Sequence, residues 1–475
     1  MFFNTKRKPA TKTSNLAGGE AFVETPKLEL VSMLLTTTLK DEFYRSADAT
    51  VNRVKELVAG LPEKQFAAKA AVYARNEAGM RSVTHLVAGE IARSVKGEPW
   101  TAPFYRRLCR RPDDALEILA CYTGQYGRPI PNSLKKGLGQ ALAEFDAYQI
   151  AKYRREGAEL SLVDAVNLVH PPHTEALSQL IKGTLPPAET WETKLTQAGM
   201  KAETEEETGD AKAEAWESLI KSRKLGYFAL LRNLRNIMVA VPHLINEVVE
   251  MLTDERLIRR SLVLPFRFLT AVEALEADPP PGSLRVITAL SDAVDISLAN
   301  VPRFGGRTLV ALDGSGSMMG RPIKIGSLFA AVLAKACAAD VMLFSDDAKP
   351  VSFDLRDSTI SLSRWLQSQC ASAGTNFHSI FAKANRAYDR IIILSDMQGW
   401  VGGRAPTATF AQWKQRHGCT PKVFSFDLNG HGTLQFQEPE VYCLAGWSDK
   451  ALQVMQFLDS DKQALIREIE KIELV

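Results

Sequence analysis

The stretch VALDGSGSMMG, residues 310–320, places an acid and two hydroxyls at spacings of two and four, Asp313, Ser315 and Ser317, directly after a run of apolar residues. In an extended loop this i, i+2, i+4 spacing turns all three side chains to one side. Gly314 and Gly316 between them allow a tight backbone path. An acid with hydroxyls and neither thiol nor imidazole is a hard-oxygen set. It suits Mg²⁺, or another divalent cation of that character, rather than Zn²⁺. Two further pieces follow apolar or turn-rich runs at comparable positions: GTN at 374–376, offering Thr375, and ILSDMQG at 393–399, offering Asp396. Two acids at one oxygen site, without a second acidic cluster or a paired histidine, give poor support for a metal-dependent nuclease, and no catalytic residue is assigned.

These residues need a sheet whose strands end beside one another, and the pattern after residue 305 predicts one. RTLVALD, ADVMLFSD, AKPVSFDL, DRIIILSD, KVFSFDLNG and EVYCLAGW are short β-rich runs alternating with helical stretches at 322–339, 359–370, 377–387, 409–417 and 449–472. Such alternation predicts a doubly wound, mostly parallel α/β sheet, whose ligands bind beyond the carboxyl ends of the strands. VMLFSD and KPVSFD are too close for a parallel crossover and predict an antiparallel edge hairpin. Taken together, DxSxS, the later Thr and the later Asp resemble the metal-ion-dependent adhesion site of von Willebrand factor A domains, over residues 305–475. The resemblance implies that Asp313, Ser315, Ser317, Thr375 and Asp396 hold a divalent cation. It also implies that an acidic group of a protein partner fills an open coordination position.

The first three hundred residues are of another kind. From about 28 to 300, apolar residues recur at three and four, in segments of ten to eighteen residues separated by short Gly, Pro, Asn or Ser turns. They predict antiparallel helix pairs stacked as a degenerate HEAT-like α-solenoid. LKKGLGQALAEFDAYQIAKYRR reads as one helix, with Tyr148, Ile150 and Ala151 facing inward. KAETEEETGDAKAE, 201–214, reads as an exposed acidic loop leading into a helix. Tyr73, Trp191 and Trp216 read as core. The boundary falls in PPPG and NVPRFGG, near 279–304, and residues 1–15 read as a flexible basic tail.

The composition is that of a globular chain, 45% hydrophobic and 24% charged, with a net charge of +3. The charge is unevenly placed. Residues 51–155 carry 18 Lys and Arg against 10 Asp and Glu, and residues 161–300 carry 14 against 20. The first region therefore offers an anion-binding face. The six cysteines have neither CxxC nor framework spacing; they read as buried thiols in a reducing compartment and a cytoplasmic protein. No run is apolar and long enough to span a membrane.

KAAVYARNEAGMRSVTHLVAGEIAR (69–93), IPNSLKKGLGQALAEFDAYQIAKYR (130–154), SLVDAVNLVHPP (161–172) and KLGYFALLRNLRNI (224–237) together resemble the TROVE module of the Ro autoantigen family and its bacterial relatives. A TROVE module at 16–300 followed by an A domain is that family's arrangement. The resemblance implies a helical ring closed by the A domain, acting as an RNA-binding scaffold and not an enzyme. Small noncoding Y-like RNA would bind the basic outer rim, and single-stranded 3′ ends of misfolded RNA the central hole, in RNA quality control or processing. It implies a monomer and, in bacterial relatives, an RNA tether to the exoribonuclease polynucleotide phosphorylase. Rim contacts fall on Lys135, Lys136, Lys152, on Arg154 or Arg155, and on His170, for which the alternative is a helix C-terminal cap. Arg75, Arg81, Arg232, Arg235 and Asn236 are candidates for the hole; the alternative is pairing with Glu77, Glu90 or carbonyls between repeats. A second functional reading is a Mg²⁺-dependent protein-binding adaptor with the helical part as platform.

Overall fold

The computed structural model describes residues 12–14, 20–22, 25–36, 47–154, 160–188, 190–200, 204–370, 373–399, 401, 406–428, 435, 440–445, 452, 455–456, 459 and 464–475. Lys12–Ser14 (β1) pairs antiparallel with Glu20–Phe22 (β2), so the end of the expected basic tail is strand-paired. Seventeen α-helices follow among the described residues between Pro26 and Ser297. Through the first helices many touch the one two places ahead: Pro26–Thr36 meets Lys64–Asn76, Ala47–Gly60 meets Ser82–Ser94, and Thr101–Leu108 meets Asn132–Glu144. This stacking is that of a solenoid of helix pairs.

Three local readings change. The helix expected through 134–155 breaks at Phe145 and resumes as Ala147–Lys152, because Asp146 caps the new start: it accepts from Gln149 N, and the Gln149 side chain bonds back to Asp146 N. In that short helix Tyr148 is 48% exposed, while Ile150 and Ala151 are buried. Two residues are about 200° of helical turn, so Tyr148 and Ile150 cannot share a face. Finally, the acidic stretch is helical from Glu205 to Lys221. Thr204 caps it by accepting from Glu207 N, and Glu206 in the first turn suits the positive end of the helix dipole.

The helical segment holds two cores rather than one. Leu30–Ala188 belongs to a cluster that also takes Leu264 and Phe266 and continues into the C-terminal sheet, whereas the other buried apolar residues of Trp216–Val294 form a second cluster, joined by Ile360. The change falls at TLPP, 184–187, where two prolines interrupt the helix ladder.

The C-terminal unit is a six-stranded sheet of β3 (Thr308–Asp313), β4 (Asp340–Phe344), β5 (Ala348–Val351), β6 (Arg390–Ser395), β7 (Lys422–Asp427) and β8 (Val441–Ala445), in the order β5-β4-β3-β6-β7-β8. All pairings are parallel except the expected antiparallel β4–β5 edge. Both faces of β3 are covered: Val310 and Leu312 face one cluster with Phe329 and Phe426, and Leu309 and Ala311 the other with Phe377 and Phe410. This period of two explains the continuous apolar reading of the strand.

Helices from both ends of the helical segment touch this unit. At the N-terminal end Lys27 Nζ lies 3.2 Å from Glu470 Oε1, Lys69 Nζ donates to Glu470 O at 2.7 Å, and Arg107 donates to Glu473 O. At the other end Glu273 meets Lys324 (2.7 Å), Asp295 meets Lys335 (2.9 Å), and Glu276 meets Arg364. The polarity reverses: bases of the first helices meet the acidic C-terminal helix Ala464–Glu470, while acids of the last helices meet bases of the sheet unit.

Candidate functional site

The chain builds β3, β4 and β5 outward in one direction, then crosses to β6 on the other side of β3. The carboxyl ends of β3 and β6 therefore flank the topological switch point, where an open α/β sheet leaves a crevice. Asp313 ends β3 and Asp396 directly follows β6. The 313–318 loop is held against the other two predicted pieces. Gly316 N donates to Ala373 O (3.1 Å), beside Thr375, and Ser395 Oγ donates to Asp313 Oδ2 (2.5 Å). Ser315 N donates to Asp313 Oδ1 (2.9 Å), and the Ser315 and Ser317 hydroxyls are 3.4 Å apart. Gly314 packs tightly: a Cβ there would sit 3.1 Å from both Cys370 Cβ and Sγ, and Cys370 would have to give way by a few tenths of an ångström.

Asp313, Ser315, Thr375 and Asp396 are buried and Ser317 is half-buried. Burial, with the Asp396 charge adding, pushes the Asp313 carboxyl up to about 7 against the hydrogen bonds of Ser395 and Ser315. Burial also raises Asp396, against the Ser317 hydroxyl and the Gln398 amide. Asp396 Oδ2 is buried without a hydrogen-bond partner, an expensive arrangement for a carboxylate. Two close carboxylates, one with an orphaned oxygen, beside three hydroxyls have the chemistry to hold a small hard cation.

The predicted basic residues are a second candidate. Helix Asn132–Glu144 crosses the turn after helix Leu162–Val169 so closely that a Cβ on Gly139 would lie 3.2 Å from Pro171 Cα and 3.3 Å from Val169 O. Lys135 and Lys136 are one turn before Gly139, so the contact brings them near His170. That residue takes a left-handed conformation (φ 52°), its backbone N–H caps the helix on Val166 O, and its side chain is exposed. The cap is thus made by the backbone rather than by the ring. Lys136 and Lys152 are exposed, Lys135 and Arg154 half-buried. Lys152 Nζ lies 5.9 Å from the Tyr148 ring and 5.6 Å from Tyr153, a cation–π arrangement that holds the ammonium outward. Arg155 lies outside the described residues.

Arg111 was not singled out by sequence reading; its guanidinium pairs with Asp113 and covers Tyr153, the ring that also neighbours Lys152, at 4.7 Å. The run RRLCRR, 106–111, with four arginines in six residues, carried the signal.

The candidates for the hole separate. Arg75 is 7% exposed and donates to Asp114 Oδ2 at 2.8 Å. Arg81 reaches Asp113 Oδ2 (2.8 Å) and Asp114 Oδ1 (3.3 Å). Both hold repeats together, as the structural alternative anticipated, though with Asp113 and Asp114 in place of Glu77 and Glu90. Arg232 and Asn236 are exposed on helix Tyr227–Ala240, and Arg235 pairs with Asp278.

Comparison with known proteins adds four findings. The TROVE domain family model matches residues 27–193 and 182–278, together more than half of the chain. The RNA-binding protein RO60 of Deinococcus radiodurans is 25% identical over 89% of this chain and 90% of its own length. Telomerase protein component 1 of Rattus norvegicus is 22% identical over 54% of this chain, which spans 13% of that protein. The crystal structure of the Deinococcus radiodurans Ro (Rsr) protein superimposes with a TM-score of 0.64, covering 92% of this chain and 99% of that one at 20% identity, and so shares the fold.

Proposed function

The chain belongs to the TROVE domain family and is Ro-like, and from that premise we propose that it is an RNA-binding scaffold rather than an enzyme. The observation that carries the reading is the pair of exposed side chains Lys136 and His170, with half-buried Lys135, on helices joined by the Gly139–Pro171 contact, and the exposed Lys152 on the following short helix. Clustered cations on helix ends bind phosphates in a salt-dependent way, with little base readout. In this reading the rim takes a small structured noncoding RNA of the Y-like class. The α/β unit, a von Willebrand A-like domain, closes the helical segment into a ring through its two ionic seams. The exposed Arg232 and Asn236 face single-stranded 3′ ends of misfolded RNA in the hole. An exoribonuclease tethered through the bound RNA would place the protein in RNA quality control or processing.

The test is a pair of measurements. Affinity for a duplex with a 3′ single-stranded tail is expected to exceed that for a blunt duplex and to fall steeply with salt; equal, salt-insensitive binding overturns the reading. Crosslinking in the native cell should recover one abundant small structured RNA, lost in a Lys152→Glu/Arg155→Glu variant.

A second activity is compatible with the first and rests on the orphaned Asp396 Oδ2. Asp313, Ser315, Ser317, Thr375 and Asp396 would hold Mg²⁺, and the ion would supply an open position for an acidic group of a protein partner. Asp313→Ala should then abolish a chelator-sensitive protein association while RNA affinity is unchanged. An association that survives both the substitution and chelation removes the adaptor role.

A further inference from the structure

The second helical module carries a groove of which the proposed RNA contacts use one wall residue, Asn236. Helices Trp191–Met200, Glu205–Lys221 and Tyr227–Ala240 enclose a cleft of about 1000 Å³. Its floor is apolar: Trp191 stacks on the buried Trp216 with ring centroids 5.8 Å apart and planes 23° apart, and Trp191 itself remains half-exposed. Val239, 58% exposed, forms the opposite lip. A partly open indole beside an exposed aliphatic side chain presents a flat apolar surface with a negative π face.

The charge around it is acidic. Glu192 and Asp210 line the cleft and are exposed. Glu206, Asp210 and Glu214 recur every four residues, so they form one exposed stripe along helix Glu205–Lys221 with Asp210 at its centre. Of the two bases on the cleft, Arg235 is neutralised by Asp278, which leaves Lys212. This is the side of the molecule whose sequence, 161–300, carries 20 acids against 14 bases. Such a surface repels phosphate and attracts cations.

We propose that this groove is a docking site for a basic, unstructured peptide segment of a protein partner. Carboxylates one helical turn apart are spaced about 5–6 Å, close to the 6–7 Å between alternate side chains of an extended peptide. A segment with Lys or Arg at every second position can therefore meet the stripe with its cations. One guanidinium lies over the open face of Trp191, and intervening small residues lie on Val239. The charge division then separates tasks: structured nucleic acid on the basic first module, a basic protein segment on the acidic helix of the second.

The test uses the full-length protein and a fluorescein-labelled (Arg-Ser)6 peptide, followed by anisotropy at physiological salt. Asp210→Lys/Glu214→Lys should weaken binding at least roughly tenfold. Glu250→Lys/Asp292→Lys makes the same change in net charge at exposed acids of this module outside the groove, and should change it less than about twofold. Equal loss in both variants means that net charge alone attracts the peptide, and overturns the proposal. Trp191→Ala, checked for retained melting temperature, should weaken the peptide and leave tailed-RNA affinity unchanged. Unchanged peptide binding in a folded Trp191→Ala protein overturns it, as does loss of RNA rather than peptide binding in that variant. If the surface takes RNA, the second of these outcomes will show it.

Discussion

Arg75 and Asp114 form a buried ion pair, Nη2 to Oδ2 at 2.8 Å, that joins helix Lys64–Asn76 to helix Pro112–Tyr126. The same carboxylate takes His85 Nε2 at 3.0 Å, Arg81 Nε at 3.3 Å and the backbone N–H groups of Arg110 and Arg111. Every lone-pair direction of Asp114 is thus occupied, which is what a fully buried charge requires.

Asp114→Ala removes one partner of this hub and leaves Arg75 buried and uncompensated. We expect a loss of about 3–5 kcal/mol, read as a lower urea midpoint. A loss below about 1 kcal/mol would show that the hub contributes little.

The same hub gives a pH dependence. Burial alone would raise the Asp114 carboxyl, but hydrogen bonds from His85 and Arg75 more than offset it and hold the group well below the usual carboxylate range. A depressed folded pKa contributes stability that is present above the unfolded value, about 3.9. That stability is lost as pH falls from there through the folded value. The stability gap between wild type and Asp114→Asn should therefore be constant from pH 5 to 7 and narrow below about pH 4. A gap that widens on acidification contradicts the assignment.

Gly137 and Gly139 set how closely helix Asn132–Glu144 meets its neighbours. A Cβ at 137 would lie 2.3 Å from Ala102 O, and Gly137→Ala should cost about 1–3 kcal/mol through forced displacement. Gly139→Ala presses on the Pro171 backbone instead. It should lower affinity for structured RNA by moving His170 while the melting temperature falls less than in Gly137→Ala.

Mg²⁺ should raise the melting temperature of the wild type and leave Asp313→Ala unmoved. Ser315→Ala should respond weakly, since it keeps both carboxylates. Equal shifts in all three proteins would place any bound ion elsewhere.

The two seams are expected to differ in salt response. Lys27 and Glu470 are both partly exposed, and exposed pairs are screened. Amide exchange at 464–474 should accelerate with ionic strength and in Lys27→Glu/Arg107→Glu. Exchange at 331–337 should stay nearly constant, because Lys335 is largely covered and shares Asp295 with Thr359.

How much of this was readable in the chain depends on the range of the interaction. Period and turn chemistry are local, so the switch from helical spacing to alternating strands and helices near residue 305, the β4–β5 hairpin and the DxSxS loop at a strand end were all legible. Even the break at Asp146 was written in the capping box DAYQ, although the apolar period on both sides concealed it. The partners of a charge are different. Nothing within four residues distinguishes Arg75, which is buried on Asp114, from Arg232, which is exposed. Likewise Tyr148 and Trp191 differ from core aromatics only by which helix lies across from them.

The sequence by itself determined the element types, their order and the set of hard oxygens, because these follow from side-chain chemistry and backbone preference over a few residues. Only the tertiary structure decided that Asp396 Oδ2 is left unpaired beside Asp313, that Gly139 brings His170 to Lys135 and Lys136, and that the helical segment has two cores. The physical reason is that burial, and the pairing it demands of every charge, is set by residues tens to hundreds of positions away, brought close by packing rather than by spacing.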